Sequence, residues 1–173
     1  YAPCRSIDGC KGEVKSGRRS AESRSSKPLR LCRRKSCHRD PLMPPNEIRV
    51  LSVEDNRDDV AFVARALKRA PERNYVLTTT GELSLGLELL AAEAFDVALL
   101  DLGLPDEQGV QIVRAVSQAA PGLPIIVISG QDRQEEILEA IRSGAQDYLV
   151  KGKFDSLRLC QTILQSIERK QLA

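Results

Sequence analysis

The chain has 173 residues, enough for one domain of ordinary size and a further segment. Apolar residues make up 42% of it and aromatic residues only 3%, so a core can form but must be largely aliphatic. No apolar run approaches the roughly 18 residues of a membrane span, which excludes a membrane-spanning helix, and we expect a soluble protein without membrane contacts.

Charge divides the chain near residue 46. Residues 1–46 carry 12 Lys and Arg against 4 Asp and Glu, whereas residues 47–173 carry 14 against 20. Residues 15–36 are mostly Ser, Arg and Lys, without the period of a helix or a strand, and cannot bury enough surface to offset the entropy of ordering. We therefore predict a disordered basic arm over 1–46 and one acidic domain over 47–173.

Several functional interpretations of the arm stay open. Its Arg and Lys residues could bind nucleic acid through phosphates, although no aromatic residues are interleaved for base stacking. Ser and Arg richness also resembles a transit peptide. Alternatively, Met43 is the true start and residues 1–42 are misassigned upstream sequence. A zinc site is a further possibility, but the spacing of its candidate ligands is at or beyond the usual limit: Cys4, Cys10, Cys32, Cys37 and His38.

Strands and helices alternate along the domain. Apolar and β-branched runs predict strands over 48–53, 75–79, 97–100, 125–128 and 148–150. Helical spacing predicts a helix capped by Asp58 or Asp59 and stopped by Pro71, then helices over 82–92, 109–117, 133–143 and 155–170. The last helix is expected to turn four residues inward, Leu157, Cys160, Leu164 and Ile167. This order predicts an α/β fold, a doubly wound five-stranded parallel sheet flanked by five helices.

Polar residues follow the predicted strands at the points where they end. Glu54 and Asp55 follow the first strand, Asp101 follows the third, Ser129 follows the fourth and Lys151 follows the fifth. Because the carboxyl ends of parallel strands share one edge of a sheet, we expect these residues to meet there. Clustered carboxylates repel one another, so a cation must compensate. Lys151 supplies one charge, and oxygen ligands favour Mg²⁺.

These groups are the parts needed for phosphoryl transfer. A carboxylate can attack phosphorus to give an acyl phosphate, while a metal ion and a lysine neutralise the phosphoryl oxygens and a hydroxyl donates a hydrogen bond. Asp101 is the predicted nucleophile, because it follows the strand expected to be the most buried and precedes a loop containing Gly103.

The domain resembles the receiver domain of two-component response regulators over nearly all of 47–173. Four motifs carry the resemblance in the expected order: Val-Glu-Asp-Asn at 53–56, Leu-Leu-Asp-Leu-Gly-Leu-Pro-Asp at 99–106 with Gly109, Val-Ile-Ser-Gly at 127–130, and Gly-Ala-Gln-Asp-Tyr-Leu-Val-Lys at 144–151. The resemblance implies a flavodoxin-like or CheY-like sheet. It also implies a cytoplasmic protein, in agreement with a domain whose only cysteine is Cys160.

The resemblance further implies a role for each matching residue. Asp101 would take a phosphoryl group from a histidine kinase or a histidine phosphotransfer protein, and the domain would catalyse its own phosphorylation and dephosphorylation. Ser129 and Lys151 would contact that group. Tyr148 would turn inward as Ser129 moves, reshaping the face of the fourth helix, fifth strand and fifth helix for a downstream protein or a second copy. The implied Mg²⁺ ligands are Glu54, Asp55, Asp101 and the backbone carbonyl of Gly103. Gly152 departs from the family, which usually has proline after the lysine.

Other functions fit less well. A phosphatase of the haloacid dehalogenase type needs an acid where Gly103 stands. A nucleotide-binding fold needs a glycine-rich loop where the acidic Glu54-Asp55-Asn56 stands. A docking-only receiver would lack an acid or the lysine. About three residues follow the last predicted helix, so we expect a stand-alone switch or, alternatively, the receiver fragment of a larger sensor or regulator.

Overall fold

The computed structural model describes residues 47–70, 73–130 and 134–173, in which strands alternate with helices. The strands are β1 (Glu47–Val53), β2 (Asn74–Thr80), β3 (Val97–Leu100), β4 (Ile125–Ser129) and β5 (Asp147–Val150). The helices are α1 (Arg57–Lys68), α2 (Leu83–Ala92), α3 (Val110–Ala119), α4 (Gln134–Arg142) and α5 (Ser156–Leu172). The predictions for the arm, the helix stop at Pro71 and the helix start at 133 fall outside the described residues.

The five strands form one parallel sheet in the order β2-β1-β3-β4-β5. This is the flavodoxin-like order, so the predicted doubly wound α/β fold is confirmed. The chain runs outward from β1 in one direction and from β3 in the other, which leaves a crevice between the loops that follow these two strands. Such switch points are the usual binding sites of this architecture. Within the described ranges, no helix combines the length and apolar character needed to cross a bilayer.

The core lies in two layers, one on each side of the sheet. Along β3 the side chains alternate: Ala98 and Leu100 join the layer under α2, α3 and α4, whereas Val97 and Leu99 join the layer under α1 and α5. All four are at most 1% exposed. Burying a large aliphatic side chain contributes about 1.5–3 kcal/mol, so the burial of both faces holds this strand at the centre of the sheet.

The start of α1 differs from the prediction. Its N-cap is Asn56, whose side chain accepts a hydrogen bond from the backbone nitrogen of Asp58 at 2.9 Å. The short amide side chain reaches the nitrogen two residues ahead, as Asn commonly does at helix starts. The helix therefore begins earlier than expected, and Asp58 and Asp59 both lie in its first turn.

The buried face of α5 also differs from the prediction. Cys160 is buried, and Leu164 and Ile167 pack partly against the core, but Leu157 is 66% exposed. The face is centred on Leu159 and Ile163. A residue two positions before Leu159 points roughly 200° around the helix, away from the sheet. The inward assignment of Leu157 was wrong for this reason.

Candidate functional site

The carboxyl edge of the sheet brings the predicted residues together. The backbone nitrogen of Asp101 donates to the carbonyl of Val53 at 3.0 Å, which places Asp101 beside Glu54. On the other side, the backbone nitrogen of Lys151 donates to the carbonyl of Ser129 at 2.9 Å. Loops from neighbouring strands thus carry a carboxylate, a hydroxyl and an ammonium to one edge.

Lys151 is the centre of this cluster. Its Nζ lies 2.7 Å from Oε2 of Glu54 and 2.7 Å from Oδ2 of Asp101. A third carboxylate, Oδ2 of Asp59, lies 2.8 Å away. Burial lowers the pKa of Lys151, but the hydrogen bonds to Asp101, Asp59 and Glu54 outweigh burial and raise this pKa overall. Lys151 is therefore a fixed positive charge at neutral pH.

Asp59 was predicted only as a possible helix cap and not as a residue of the site. The available signal was its position: α1 begins directly after the acidic loop that follows β1, so its first turn lies at the same sheet edge. Asp59 is in that first turn, and its side chain is 34% exposed.

Glu54 is the most buried acid of the cluster, with 7% of the residue exposed. Its Oε1 accepts a hydrogen bond from the backbone nitrogen of Asn56 at 3.0 Å, and its Oε2 faces Lys151. Burial, helped by the negative charge of Asp101, raises the pKa of Glu54, while Lys151 and the Asn56 amide act in the opposite direction. A second cation would relieve this excess of negative charge.

Asp101 is held by the loop that follows it. Its Oδ1 accepts a hydrogen bond from the backbone nitrogen of Gly103 at 3.3 Å. The loop is closed by a bridge between Gly103 and Gln108 and by the Gly109 nitrogen, which donates to the Leu102 carbonyl at 2.7 Å. The predicted role of the Gly103 carbonyl as a metal ligand stays a prediction.

The same loop is tied to α2 by Asp106. Its Oδ1 accepts from the backbone nitrogen of Leu83 and its Oδ2 from that of Ser84, both at 2.9 Å. Hydrogen bonds from Ser84 and Leu83 hold the pKa of Asp106 below its ordinary value. Asp106 was noted in the sequence only as part of a motif. Its capping of α2 could not be predicted, because a cap supplied from another loop leaves no local pattern in the sequence.

The donor set fits a divalent cation. Glu54, Asp55 and Asp101 each place a carboxylate oxygen within 4.8 Å of the others. These ligands are hard oxygens, the kind that Mg²⁺ prefers, and Asp55 is exposed, which leaves room for retained waters. With Asp59 included, four carboxylates lie at this edge and three of them contact the Lys151 ammonium, so the local charge favours an added cation.

A cavity of about 240 Å³ opens beside the cluster. Its charged lining includes Asp59, Asp101 and Lys151, and its apolar lining includes Phe62 and Phe154. The two rings meet edge to face with centroids 5.5 Å apart. An apolar wall on one side lowers the local dielectric and strengthens the electrostatic interactions at the mouth.

Ser129 and Tyr148 lie on neighbouring strands close to this edge. Ser129 is the last residue of β4 and only 4% exposed. Tyr148 is paired in register with Val127 of β4 and packs partly against the core. Their predicted switching roles stay predictions.

Comparison with known proteins identifies the family. The model described as the response regulator receiver domain matches residues 50–164. This chain belongs to the response regulator receiver domain family. The predicted resemblance is therefore confirmed.

Individual relatives agree with this assignment. The nisin biosynthesis regulatory protein NisR of Lactococcus lactis is 28% identical over 123 residues, which cover 71% of this chain and 52% of NisR. The CheY-like receiver domain protein of Methanospirillum hungatei shares the fold with a TM-score of 0.64 and 22% identity, covering 72% of this chain and 96% of that one. The beryllofluoride-activated NtrC4 receiver domain dimer gives a TM-score of 0.64 and 27% identity, covering 70% of this chain and 98% of that one. The chain spans about half the length of NisR.

Proposed function

We propose that this chain is a phosphoryl-accepting switch in which Asp101 takes a phosphoryl group from a histidine kinase or a histidine phosphotransfer protein. The observation that carries the proposal is the position of Lys151, whose Nζ lies 2.7 Å from Asp101 at the edge where three carboxylates cluster. Membership of the receiver family supports the same reaction and a place in the cytoplasm.

Glu54, Asp55 and Asp101 would hold Mg²⁺, with the Gly103 carbonyl as a further ligand. The bound ion would neutralise charge on the phosphoryl oxygens. The clustering of these carboxylates and the raised pKa of Glu54 support this assignment.

The chain's own residues would carry the rest of the reaction. A carboxylate oxygen of Asp101 forms a bond to phosphorus while the bond from phosphorus to the donor's imidazole nitrogen breaks, and the imidazole leaves with the electron pair. Lys151 turns from the Asp101 carboxylate to a phosphoryl oxygen, and the Ser129 hydroxyl donates to another. For dephosphorylation, a water oxygen bonds to phosphorus while the bond from phosphorus to the Asp101 oxygen breaks, which releases inorganic phosphate and the free carboxylate. The domain would thus catalyse both its own phosphorylation and its own dephosphorylation.

The signal would leave through the surface formed by α4, β5 and α5. Ser129 ends β4, the strand that pairs with β5, and Tyr148 lies within β5. Movement of the hydroxyl toward the phosphoryl group would draw Tyr148 inward and change this surface, which is a two-state element biased by one local charge. A downstream protein, or a second copy of this chain, would bind the changed surface.

The output can take two forms. The domain acts on a separate protein, or it is the receiver part of a larger regulator. The length of NisR, of which this chain matches 52%, supports the second form. A docking-only role is disfavoured, because the acids and the lysine of the site are all present.

Intact mass measures the proposed reaction. The full chain is incubated with acetyl phosphate, with and without Mg²⁺, and we expect a gain of one phosphoryl group only with Mg²⁺. Asp101→Asn should show no gain, because an amide is a poor nucleophile. Glu107→Gln is the matched control: Glu107 lies in the same loop, is exposed and accepts a hydrogen bond from the neighbouring Gln108 nitrogen. Phosphorylation of Asp101→Asn at the wild-type rate would refute the proposal.

A further inference from the structure

We propose that Asp59 is a positioning residue that shares the Lys151 ammonium with Asp101, thereby strengthening the binding of a divalent cation and weakening the contact of Lys151 with a phosphoryl group. This inference rests on the proposed function and assigns Asp59 a part in the same site. It concerns a residue outside the family motifs quoted above.

The position of Asp59 separates it from the metal-binding set. The three carboxylates that lie within 4.8 Å of one another are those of Glu54, Asp55 and Asp101. Asp59 comes from α1 and contacts Lys151 at 2.8 Å. It therefore acts on the site through the lysine.

The donor count of Lys151 makes Asp59 a competitor. An ammonium has three N–H donors, and three carboxylates lie within 2.8 Å of Nζ. A phosphoryl oxygen can gain one of these donors only if a carboxylate gives it up. Glu54 would be drawn to the metal ion and Asp101 would become the acyl phosphate. Asp59 neither binds the metal ion nor accepts the phosphoryl group, so its ion pair with Lys151 persists after phosphorylation.

Removing the Asp59 charge should have opposite effects on the two ligands. In Asp59→Asn, Lys151 pairs more closely with Glu54 and Asp101 and competes with Mg²⁺ for their carboxylates. The site also loses one nearby negative charge. Both effects weaken Mg²⁺ binding. The contact between Lys151 and a bound phosphoryl group, in contrast, becomes stronger, because the lysine no longer pairs with Asp59. The phosphoryl group also loses the repulsion of the Asp59 carboxylate. Because Asp59 is 34% exposed, each effect should be about fivefold, which corresponds to about 1 kcal/mol.

Asp58 provides a matched control. It lies beside Asp59 in the first turn of α1, carries the same charge and is exposed. Its carboxylate is in no ion pair with another residue in the described ranges. Asp58→Asn therefore reproduces the change in net charge and in the helix N-terminus without touching Lys151.

The experiment is a pair of titrations on the full chain. Calorimetry gives the Mg²⁺ affinity, and fluorine NMR gives the affinity for beryllofluoride, a stand-in for the phosphoryl group, at saturating Mg²⁺. For Asp59→Asn we expect the Kd for Mg²⁺ to rise about fivefold and the Kd for beryllofluoride to fall about fivefold. Asp58→Asn should change neither by more than about twofold, and Asp59→Glu, which keeps the charge, should restore both toward wild type.

The outcomes separate this inference from the function on which it rests. If Asp59→Asn matches Asp58→Asn, or if both affinities weaken together as in a merely destabilised site, the role of Asp59 is refuted while the phosphoryl-acceptor function stands. If the wild-type chain binds neither Mg²⁺ nor beryllofluoride, the proposed function fails and this inference fails with it.

Discussion

At the scale of single residues, the balance of charge around Lys151 governs the site. One ammonium, only 20% exposed, faces the carboxylates of Glu54, Asp59 and Asp101. Breaking a buried ion pair by removing one partner is costly, since the remaining charge is left without compensation. The lysine is therefore a structural cation in the resting domain as well as a proposed contact for the phosphoryl group.

Lys151→Met tests the structural part of this role. Without Mg²⁺ the variant should lose about 2 kcal/mol of unfolding free energy, less than for a fully buried pair because Lys151 and Asp59 are partly exposed. Saturating Mg²⁺ should restore most of the lost unfolding free energy, because the ion supplies the missing positive charge and binds only the folded state. Urea unfolding with and without Mg²⁺ measures both values. Lys68→Met, at an exposed position near the end of α1, is the control. A loss that Mg²⁺ does not reduce would contradict this explanation.

The predictable and unpredictable residues of the site differ in how they are placed. Glu54 and Lys151 directly follow apolar strands, so the sheet edge alone places them. Asp59 lies within a helix, where the direction of a side chain depends on the residue at which the helix begins. The predicted cap at Asp58 or Asp59 was wrong, because Asn56 is the cap. With the helix start misplaced, the contact of Asp59 with Lys151 was not predicted.

At the scale of elements, α2 depends on a cap from another part of the chain. The residue at its own N-cap position, Glu82, makes no side-chain capping hydrogen bond. Asp106, in the loop after Asp101, supplies both acceptors instead. The loop that follows Asp101, the proposed phosphoacceptor, and the first turn of α2 are thus fastened together.

Asp106→Ala should lower the melting temperature at neutral pH, because the first amides of α2 lose their acceptors. The folded pKa of Asp106 lies below its ordinary value of 3.8, so its contribution to stability is present above 3.8 and is lost as the pH falls through the folded pKa. The difference in melting temperature between wild type and variant should therefore narrow below pH 3.8. Thermal unfolding at pH values above and below 3.8 measures this difference in melting temperature. Glu107→Ala, at an exposed neighbouring position, is the control. A difference that is independent of pH would exclude the charged cap.

For the elements too, features determined by local sequence could be predicted, and features determined by contacts between distant segments could not. Runs of apolar and β-branched residues predict strands such as β3 directly, since their burial is continuous. Sequence spacing alone leaves the centre of a helical face uncertain by one or two residues, which accounts for the error at Leu157. A cap such as Asp106, 23 residues from Leu83, has no local pattern at all.

At the scale of the whole molecule, sheet order is what makes one site from distant segments. β1 and β3 are neighbours at the centre of the sheet, and β4 and β5 follow on one side. The loops after these strands therefore meet at a single edge, although Glu54 and Lys151 are far apart in sequence. The alternation of strands and helices predicts a doubly wound parallel sheet, because parallel strands need crossover helices and both faces of the sheet must be covered. The order of the strands was implied only by the resemblance to receiver domains.

Phosphoryl acceptance by Asp101 is tested most directly by locating the modified residue. The full chain is treated with acetyl phosphate and Mg²⁺, then with borohydride, which reduces an aspartyl phosphate to homoserine, and its peptides are sequenced by mass spectrometry. We expect homoserine at position 101, and only when Mg²⁺ is present. Homoserine at another aspartate, with Asp101 intact in a sample that has gained a phosphoryl group, would contradict the proposed function.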